Sequence, residues 1–566
     1  MIDENYDLVV VGAGAAGLAA ASVGAAQGAR VLLVEHTGRI GGTSAISGGM
    51  VWIPANHKMK ECGVDDSDEM ARRYIEQTVP AAMHDARMRA FLCDGDAAIR
   101  YLEAHTALKL RPVRRYPDYY PDLLGATAGG RVLEPVPFDG RELGEDFALL
   151  RDPLPEFMLF GGMMISREDI PKLRRIGKSP AATWDVLKLT GKYALQRLRA
   201  HRGTTLVLGN ALVARLFKSA RDLRVEIALN ARVERLVLED GRVTGLDVRI
   251  DGHQRTMRAR AVVLATGGIS HDPALRASFV PAHAGHRSAT VDARAQQGGV
   301  RLARAAGAAL SPPSQGVDDA LAFWVPVSCW QREDGSSAMF PHTVTDRAKP
   351  GLIAVNRHGK RFVNEALSYH EFVRAQLRQA DAAIPAWLIC DSRFLWKYGL
   401  GRVRPFALST RRDVASGYLK KAPTLDALAD SIGVPRAALV QTVQCFNADA
   451  REGRDDEFGR GGDIYQRHLG DGDHEPNPCV APIEQGPFHA VCVFPADLGM
   501  AAGLITDEHA RVLRADGTPI DGLYACGNDM HAVMNGAYPG PGITLGPALV
   551  FGVIAARHAS GHKLTV

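Results

Sequence analysis

The sequence predicts an α/β fold in which the first domain is discontinuous and an α+β domain is inserted into it. Three observations predict this arrangement: an aliphatic strand from Asp7 to Val11 opens the chain, a glycine-rich turn and an alanine-rich helix follow at once, and a strand-like segment from Gly522 to Ala525 returns near the C-terminus. With 566 residues, the chain is also too long for one compact core.

The opening turn reads Gly12-Ala13-Gly14-Ala15-Ala16-Gly17, and the helix after it runs to about Gln27. A second strand from Arg30 to Val34 ends at Glu35, which precedes His36. A strand before the G-x-G-x-x-G pattern, a helix after it and an acidic residue at the end of the next strand are what a Rossmann-type dinucleotide-binding fold requires. The sequence therefore predicts such a fold, with Glu35 accepting hydrogen bonds from ribose hydroxyls and His36 beside it in the cofactor site.

Each residue of the turn has a physical role in that prediction. Gly12 permits the tight turn, Gly14 lets a pyrophosphate approach the backbone, and Gly17 lets the helix pack closely on the strand. Ala15 and Ala16 begin the helix, so their N–H groups and the positive end of the helix dipole are available to phosphate. We therefore expect the turn to bind a pyrophosphate.

Three further segments narrow down the cofactor. They are Gly41-Gly42-Thr43-Ser44 with Ser47-Gly48-Gly49, a predicted hairpin around Glu239-Asp240-Gly241 that contains Val233 and leads to Ala265-Thr266-Gly267-Gly268, and Gly527-Asn528-Asp529. Together they resemble the flavoproteins of the fumarate reductase and succinate dehydrogenase superfamily. The resemblance implies FAD, with the first segment at the pyrophosphate and the isoalloxazine, Val233 at the adenine and the Ala265 turn over the nucleotide.

The last of these segments departs from the family pattern. Asn528 and Asp529 stand where the family usually has Gly-Glu, and Asp529 is expected near the ribityl chain or the pyrophosphate. No histidine or cysteine lies in an obvious flavin-linking motif, so we expect FAD to be bound non-covalently and without a metal.

The resemblance also sets the expected domains. The FAD-binding domain is expected to comprise residues 1–325 and 495–566, and a catalytic domain is expected to comprise residues 326–494. Arg451 to Asp473, rich in Gly, Asp and Arg, is expected to be a polar surface loop.

Tyrosines occupy the positions that indicate the chemistry. Gly351 to Glu365 is predicted to form a hairpin that ends in Arg361-Phe362-Val363-Asn364-Glu365, a segment that the same superfamily carries. In fumarate reductases an arginine that delivers a proton follows a few residues later, but Tyr369 stands here. Tyr538-Pro539-Gly540-Pro541-Gly542 precedes the last predicted helix, and Tyr119 lies in a loop rich in Tyr and Asp. These features resemble the hallmarks of the 3-ketosteroid Δ1-dehydrogenases.

That resemblance implies removal of hydrogen from C1 and C2 of a 3-ketosteroid. The ketone must be polarised, a base must take the C2 proton, and a hydride must pass from C1 to flavin N5. Tyr538 and the N–H of Gly542 would polarise the ketone, with the missing side chain of Gly542 leaving room for it. Tyr369 would be the base, assisted by Tyr119.

The helix that follows is expected to contribute to the cofactor site as well. It begins at Thr544 and Leu545, and its N-terminus would stabilise the negative charge of reduced flavin.

The residues by themselves leave other interpretations open. A tyrosine is commonly a half-buried packing residue, and Tyr120 competes with its neighbour for the assisting role. His342 stands where fumarate reductases have a substrate histidine, and we expect a structural or pocket-lining role for it. Aromatic residues that could line a sterol-sized cavity or belong to the core are Trp324, Trp330 and Phe340.

Several other functions share parts of this pattern. A 3-ketosteroid Δ4-(5α)-dehydrogenase or a desaturase of another cyclic ketone would use the same flavin and ketone chemistry. An enoate reductase like the fumarate reductases is disfavoured by the missing arginine. A non-catalytic flavin sensor or membrane-binding protein would leave the tyrosines without a role. Any of the enzymes needs an electron acceptor, which the sequence does not identify.

Composition limits the partners and the compartment. The net charge of +4 is small for this length and disfavours nucleic acid as a partner. The eight cysteines form no C-x-x-C pair, which is typical of a reducing cytosol and argues against a zinc site. We find no secretory signal pattern at the N-terminus and no apolar run long enough to span a membrane, so a cytoplasmic protein is expected.

One basic segment stands out from this average. Arg167 to Arg202 holds ten basic and three acidic residues, and it follows the apolar run from Phe157 to Ile165. From Trp184 to Leu198, apolar and basic residues alternate as in an amphipathic helix. We expect residues 157–202 to form an insert, either a solvated helix over the FAD-binding domain or a contact with the anionic inner face of the membrane.

Overall fold

The structure is a computed structural model that describes residues 5–79, 81–176, 179–291 and 298–561, so Lys178 of the basic segment lies outside it. The described strands are β1 Asn5–Val11, β2 Val31–Val34, β3 Val51–Trp52, β4 Leu110–Pro112, β5 Val132–Pro135, β6 Phe138–Asp139, β7 Met158–Leu159, β8 Met163–Met164, β9 Thr205–Leu206, β10 Glu226–Ala228, β11 Arg232–Glu239, β12 Arg242–Ile250, β13 His253–Leu264, β14 Ala322–Gln331, β15 Ser337–Pro341, β16 Leu352–Val355, β17 Ala386–Cys390, β18 Leu419–Ala422, β19 Phe488–Met500, β20 Arg511–Leu513 and β21 Pro519–Ala525.

The described helices are α1 Ala15–Ala26, α2 Gly42–Ile46, α3 Asp68–Thr78, α4 Ala86–His105, α5 Asp169–Arg174, α6 Pro180–Arg197, α7 Leu208–Asp222, α8 Pro273–Arg276, α9 Gly299–Ala305, α10 Tyr369–Arg378, α11 Ala380–Ala383, α12 Ser392–Tyr398, α13 Arg411–Ala415, α14 Leu425–Ile432, α15 Arg436–Arg451, α16 Ile464–Leu469 and α17 Leu545–Ala559. Helices and strands are thus mixed throughout the chain, as the predicted fold class requires.

The opening strand lies inside an eight-stranded sheet. Its main order is β10-β2-β1-β13-β12-β11, and β21 and β20 continue from β13. The strands β10, β2, β1, β13 and β21 are parallel neighbours, so the C-terminal segment returns beside the strands that open the chain. Val9 and Val10 are fully buried inside this parallel part of the sheet, on which α1 packs.

Two glycines of the opening turn have the roles that the sequence predicts for them. Gly12 has a φ of +108°, and a Cβ there would lie 2.3 Å from the carbonyl oxygen of Ala265. A Cβ on Gly17 would lie 1.9 Å from the carbonyl oxygen of Gly12, so the helix approaches the turn more closely than any side chain would allow. Helix α17 packs on α1 in a similar way, since a Cβ on Gly552 would lie 2.8 Å from the carbonyl oxygen of Ala16.

A second sheet forms the inserted part. Its strands are antiparallel in the order β15-β14-β19-β17-β16, and β18 also pairs with β19. Strand β14 begins at Ala322 and β19 ends at Met500, so the expected boundaries at 325/326 and 494/495 fall inside strands. The inserted sheet therefore begins a few residues before the first expected boundary and ends a few residues after the second.

Of the hairpin expected from Gly351 to Glu365, a single β-bridge forms. Val355 and Arg361 pair around the predicted turn, but β16 pairs along its length with β17. The second arm does not form a strand because Arg361 is bound by buried carboxylates: it donates to Glu365 at 2.8 Å and to Asp455 at 2.6 Å.

The segment from 451 to 473 is mostly a loop with many exposed residues, as predicted, but part of it is buried. Asp455 and Arg460 are buried, and Arg460 lies 3.1 Å from the Glu365 carboxylate. These two charges are compensated by buried ion pairs, and α16 forms within the segment. A polar composition cannot distinguish these two arrangements.

Candidate active site

A cleft of about 1160 Å³ lies between the two sheets and the insert. Most of the site residues predicted from the sequence line it: Gly12, Gly14, Ala15, Ala16, Glu35, His36, Gly42, Thr43, Ser44, Ser47, Gly48, Gly49, Tyr119, Val233, Ala265, Thr266, Gly267, Tyr369, Gly527, Asn528, Tyr538, Gly542, Thr544 and Leu545. Residues that were predicted as cofactor contacts but do not line it are Gly17, Gly41 and Asp529. The two glycines instead allow close packing of the backbone.

Asp529 is the clearest correction to the predicted set. Its side chain is fully buried, and its carboxylate accepts hydrogen bonds from the N–H of Thr266 at 2.6 Å and the N–H of Gly268 at 2.8 Å. The carboxylate therefore fixes the turn that lines the cleft and does not reach into the cleft itself. Burial raises the pKa of Asp529, while these donors oppose that shift.

Two helix N-termini face the cleft without a side-chain cap. Neither α1 nor α17 has an acidic residue in its first turn, so each leaves backbone N–H groups and a positive dipole end for an anion. The hydroxyl of Ser44 lies at the start of α1 and accepts from the N–H of Ala15 at 3.2 Å. The two termini give the cleft two places that attract an anion. A dinucleotide such as FAD fits this arrangement, because it carries a diphosphate and a flavin that becomes anionic on reduction.

The carboxylate of Glu35 already accepts hydrogen bonds from the backbone. One of its oxygens accepts from the N–H of Ala13 at 2.9 Å, and the other accepts from the N–H of Thr37 at 2.9 Å. A carboxylate has further lone pairs, so the residue can still accept a ribose hydroxyl at the cleft wall.

Three tyrosine hydroxyls meet at the other end of the cleft. Tyr119 donates to Tyr369 at 3.0 Å, and Tyr369 donates to Tyr538 at 2.8 Å. The rings support this geometry: those of Tyr119 and Tyr538 are stacked with centroids 5.5 Å apart, and Tyr369 meets Tyr538 edge-on at 5.2 Å. Residues that are 250 and 169 positions apart thus form one chain of hydroxyls.

Tyr369 is held by the start of a helix. It is the first residue of α10, and the hydroxyl of the preceding Ser368 caps that helix by accepting from the N–H of Glu371 at 3.2 Å. The buried guanidinium of Arg347 donates to the carbonyls of Glu365 at 2.8 Å and Leu367 at 3.2 Å, which fixes the segment entering the helix. The position of the Tyr369 hydroxyl is therefore determined by main-chain contacts on both sides.

The geometry separates Tyr119 from Tyr120. Tyr119 belongs to the hydroxyl chain, whereas the hydroxyl of Tyr120 donates to Glu371 at 2.9 Å and does not line the cleft. The N–H of Tyr119 donates to the carbonyl of Pro539 at 3.0 Å, so the loop that carries Tyr119 is tied to the segment that carries Tyr538.

Gly542 lines the cleft, and the backbone around it also requires a glycine. It has a φ of +99°, and a Cβ there would lie 2.6 Å from the carbonyl oxygen of Met50 and 2.8 Å from the nitrogen of Trp52. The backbone of the FAD-binding domain therefore excludes a side chain before any ligand does.

Burial dominates the electrostatics of the tyrosine chain. It raises the pKa of Tyr119, Tyr369 and Tyr538 above the ordinary value of a phenol. The hydrogen bond from Tyr119 lowers the pKa of Tyr369, whereas donation to Tyr538 raises it. The nearby His370 is uncharged at neutral pH, because burial lowers its pKa to about 4.

Of the remaining aromatic and histidine candidates, one lines the cleft and the others do not. Phe340 lines the cleft, while Trp324 and Trp330 do not. His342 is fully buried behind the wall, with its ring nitrogens 2.7 Å from the carboxylate of Asp346 and 2.8 Å from the hydroxyl of Ser328, so its role is structural.

Sequence reasoning missed two parts of the wall. The first is Tyr116, which lies in the same loop as Tyr119, and the second is the turn at 399–406. Neither has a motif, and only their spatial position reveals them. Within the described ranges, we find no cluster of three or more His, Cys, Asp or Glu side chains that could hold a metal, and no helix long and apolar enough to cross a membrane.

The fold and the cleft define a flavin-dependent oxidoreductase, and the comparisons with known proteins agree. The FAD binding domain family matches residues 7–545. The 3-oxosteroid 1-dehydrogenase of Mycolicibacterium smegmatis is 36% identical over 98% of this chain and 97% of its own length. The 4-oxocyclohex-2-ene-1-carboxylate 5-dehydrogenase of Sinomonas cyclohexanicum is also 36% identical, over 97% of this chain and 93% of its own length.

A solved structure gives the same result. The 3-ketosteroid Δ1-dehydrogenase of Sterolibacterium denitrificans, in complex with 1,4-androstadiene-3,17-dione, is 36% identical and superposes with a TM-score of 0.89 over 99% of this chain and all of its own. The chain therefore belongs to the FAD binding domain family and, within it, to the group that contains the 3-oxosteroid 1-dehydrogenases. It is an FAD-dependent dehydrogenase; the non-covalent attachment of FAD stays a prediction.

Proposed function

We propose that this protein introduces the C1–C2 double bond of 3-ketosteroids. The observation that carries the proposal is the chain of three tyrosine hydroxyls, joined at 3.0 and 2.8 Å, in the same cleft as the uncapped N-terminus of α17. The turn at 12–17 and helix α1 would bind the FAD pyrophosphate in the Rossmann manner. When bound, the flavin accepts the hydride that leaves C1.

The residues of this chain do the remaining work. Tyr538 and the N–H of Gly542 donate to the ketone oxygen, which makes the C2 proton more acidic. Tyr369 takes that proton, and the hydrogen bond from Tyr119 favours the anion of Tyr369 that this step requires. The buried position excludes water, so the anion forms only while a proton leaves along the hydroxyl chain.

A second substrate class is favoured by one comparison. Two relatives from Sinomonas cyclohexanicum, at 36% and 35% identity, are named for 4-oxocyclohexanecarboxylates, which are cyclic ketones with an acidic group. The wall of the cleft favours the larger apolar substrate. Apolar side chains that line the cleft away from the tyrosines are Phe157, Leu159, Ile170, Leu173, Ile176 and Phe406.

Anaerobic addition of substrate separates the two classes. We expect androst-4-ene-3,17-dione to bleach the flavin absorbance and to be converted to the 1,4-diene-3-one, because the apolar wall can accept a steroid skeleton. Mass spectrometry and NMR of the product check the position of the double bond. Bleaching by 4-oxocyclohexanecarboxylate alone, or oxidation of the saturated 5α-androstane-3,17-dione at C4–C5 in place of C1–C2, would contradict the proposed function.

The insert provides a second part of the proposal, a contact with an anionic membrane surface. Exposed apolar side chains form a stripe along helix α6 and its C-cap. They follow helical spacing, and each is more than half exposed: Trp184, Leu187, Leu195 and Leu198. Exposed Lys188, Lys192 and Arg199 flank the stripe. Exposed apolar side chains beside lysines and arginines are what a helix on an anionic bilayer requires.

The position of the insert relative to the cleft supports that contact. Residues of α5 and of the run before it line the cleft, so the same insert forms part of the cleft wall and carries the exposed stripe. A steroid is poorly soluble in water, and an entrance beside a bilayer would let it pass from lipid to the cleft without crossing water.

Vesicle sedimentation tests the membrane contact. The wild-type protein is expected to sediment with vesicles containing anionic lipid and to be released by salt, because about 1 kcal/mol per basic residue is screened. The combined substitution of Trp184, Leu187, Leu195 and Leu198 by serine should abolish sedimentation while FAD stays bound. Deleting residues 157–202 is a poorer test, since it would also remove part of the cleft wall.

Leu238→Ser is the matched control. Leu238 is an exposed leucine on strand β11, which belongs to the eight-stranded sheet and not to the insert. If wild type and the α6 variant sediment equally, α6 is better described as a solvated helix. The same holds if Leu238→Ser loses as much sedimentation as the α6 variant does.

A further inference from the structure

Tyr116 is a buried residue for which the proposed chemistry has no role so far. Its side chain is 3% exposed and lines the cleft, and its hydroxyl has no hydrogen-bond partner among the residues that the structure describes. A buried hydroxyl without a partner destabilises the folded protein. Such a group at a cleft wall calls for a ligand, a water or a moving proton as its partner.

The surroundings of Tyr116 connect it to the tyrosine chain on one side. Tyr119 is three residues further on in the same loop, and its hydroxyl is near enough to lower the pKa of Tyr116, although no hydrogen bond of ordinary length joins them. A small rotation or one water would complete the contact. Tyr116 is therefore the next hydroxyl after Tyr369 and Tyr119.

On the other side Tyr116 faces the open part of the cleft. The ring of His468, which is half-buried and also lines the cleft, lies 4.6 Å from the ring of Tyr116. The guanidinium of Arg167, from the basic insert, lies 4.8 Å above the same ring. Burial raises the pKa of Tyr116, whereas the positive charge of Arg167 lowers it, because that charge stabilises negative charge on the Tyr116 oxygen.

The tyrosine chain needs such an exit. Tyr369, Tyr119 and Tyr538 are all buried, and each turnover leaves one proton on Tyr369 that must be lost before the next. Tyr538 cannot release it, since that hydroxyl donates to the substrate ketone in the proposed function. The route outward has to begin at Tyr119.

We propose that Tyr116 relays the C2 proton from Tyr119 to the open cleft. The C2–H bond breaks, its proton bonds to the Tyr369 oxygen, and the electron pair forms the C1–C2 double bond as hydride leaves C1. The proton on Tyr369 then passes to Tyr119, Tyr119 passes one to Tyr116, and Tyr116 releases one to water, which restores the Tyr369 anion for the next turnover. Tyr116 acts through Tyr119 and does not touch the reacting carbons. The inference rests on the proposed steroid desaturation.

Tyr116→Phe tests the relay in the FAD-loaded protein. Flavin reduction by androst-4-ene-3,17-dione is followed by anaerobic stopped flow in mixtures of H₂O and D₂O. In the wild type we expect a solvent isotope effect that depends non-linearly on the deuterium fraction, because several protons move together. In the variant we expect flavin reduction to slow by at least about tenfold, within the range for lost proton transfer, and the dependence to become linear. The dissociation constant of the steroid should stay within about twofold.

Tyr465→Phe is the matched control. The hydroxyl of Tyr465 is also buried and without a hydrogen-bond partner among the described residues, and its ring lies 4.7 Å from that of Tyr119, but Tyr465 does not line the cleft. We expect its variant to keep the wild-type rate and isotope dependence. Unchanged kinetics in Tyr116→Phe, or equal losses in both variants, would overturn the relay. Weaker steroid binding at an unchanged rate of flavin reduction would also overturn it, by making Tyr116 a substrate contact. A wild type that the steroid does not bleach would instead contradict the proposed function.

Discussion

Tyr369→Phe is expected to keep FAD and steroid binding and to lose almost all turnover. The substitution removes one oxygen from a ring that is packed against Tyr538 and Tyr119, so the fold has little reason to change. The lost oxygen is the proposed base, and general-base catalysis typically contributes ~10²–10⁴-fold to a rate. Steady-state assay with an artificial acceptor measures the loss, and exchange of the C2 hydrogen with D₂O should disappear with it.

Tyr120→Phe is the control for this variant. It removes a hydroxyl from the neighbouring loop position that bonds to Glu371 outside the cleft, and turnover should be nearly unchanged. Survival of C2 exchange in Tyr369→Phe while turnover vanishes would assign the base to another residue. Survival of both would contradict Δ1-desaturation itself.

The rate of flavin reduction should also depend on pH in one direction. The reactive form of Tyr369 is the deprotonated one, and burial raises its pKa above that of an ordinary phenol. The fraction of active base therefore rises as the pH rises from neutral to alkaline values, and so should the rate. The small residual rate of Tyr369→Phe should not show this rise with pH.

Tyr538→Phe is expected to lower turnover by ~10²–10³-fold, the typical cost of one lost oxyanion donor. The ketone would keep only the N–H of Gly542, so the C2 proton would be less acidic and C2 exchange should slow in parallel. The variant also removes the group to which Tyr369 donates, at 2.8 Å, and this donation opposes formation of the Tyr369 anion. The loss of ketone polarisation is expected to outweigh that gain.

Tyr524→Phe provides the comparison for Tyr538→Phe. Its hydroxyl lies 2.9 Å from a ring nitrogen of His558, and the residue is outside the cleft, so its removal should leave turnover unchanged. Near-normal turnover of Tyr538→Phe would remove Tyr538 from the mechanism. A fall in steroid affinity without a fall in the maximal rate would make it a ground-state contact only.

Local patterns predicted a large part of the molecule. The aliphatic run at β1, the turn at 12–17 and the hairpin of β11 and β12 each depend on neighbouring residues, so the sequence indicates them directly. The buried part of the charged segment at 451–473 could not be predicted in this way, because Asp455 and Arg460 are buried by partners that lie far away in the chain. Asp529 was misassigned for the same reason: only the fold shows that its carboxylate points to Thr266 and Gly268.

The sequence by itself determined the strand, turn and helix of a dinucleotide-binding fold, since these follow from residue type and local spacing. Its resemblance to known families indicated FAD and the three tyrosines as candidates for the chemistry. Only the tertiary structure decided that Tyr119 and not Tyr120 joins Tyr369 and Tyr538, that Gly542 is required by the backbone of Met50, and that Tyr116 lines the cleft. Hydrogen bonds have a range of about 3 Å, and residues hundreds of positions apart come within that range only after both sheets have formed around the cleft.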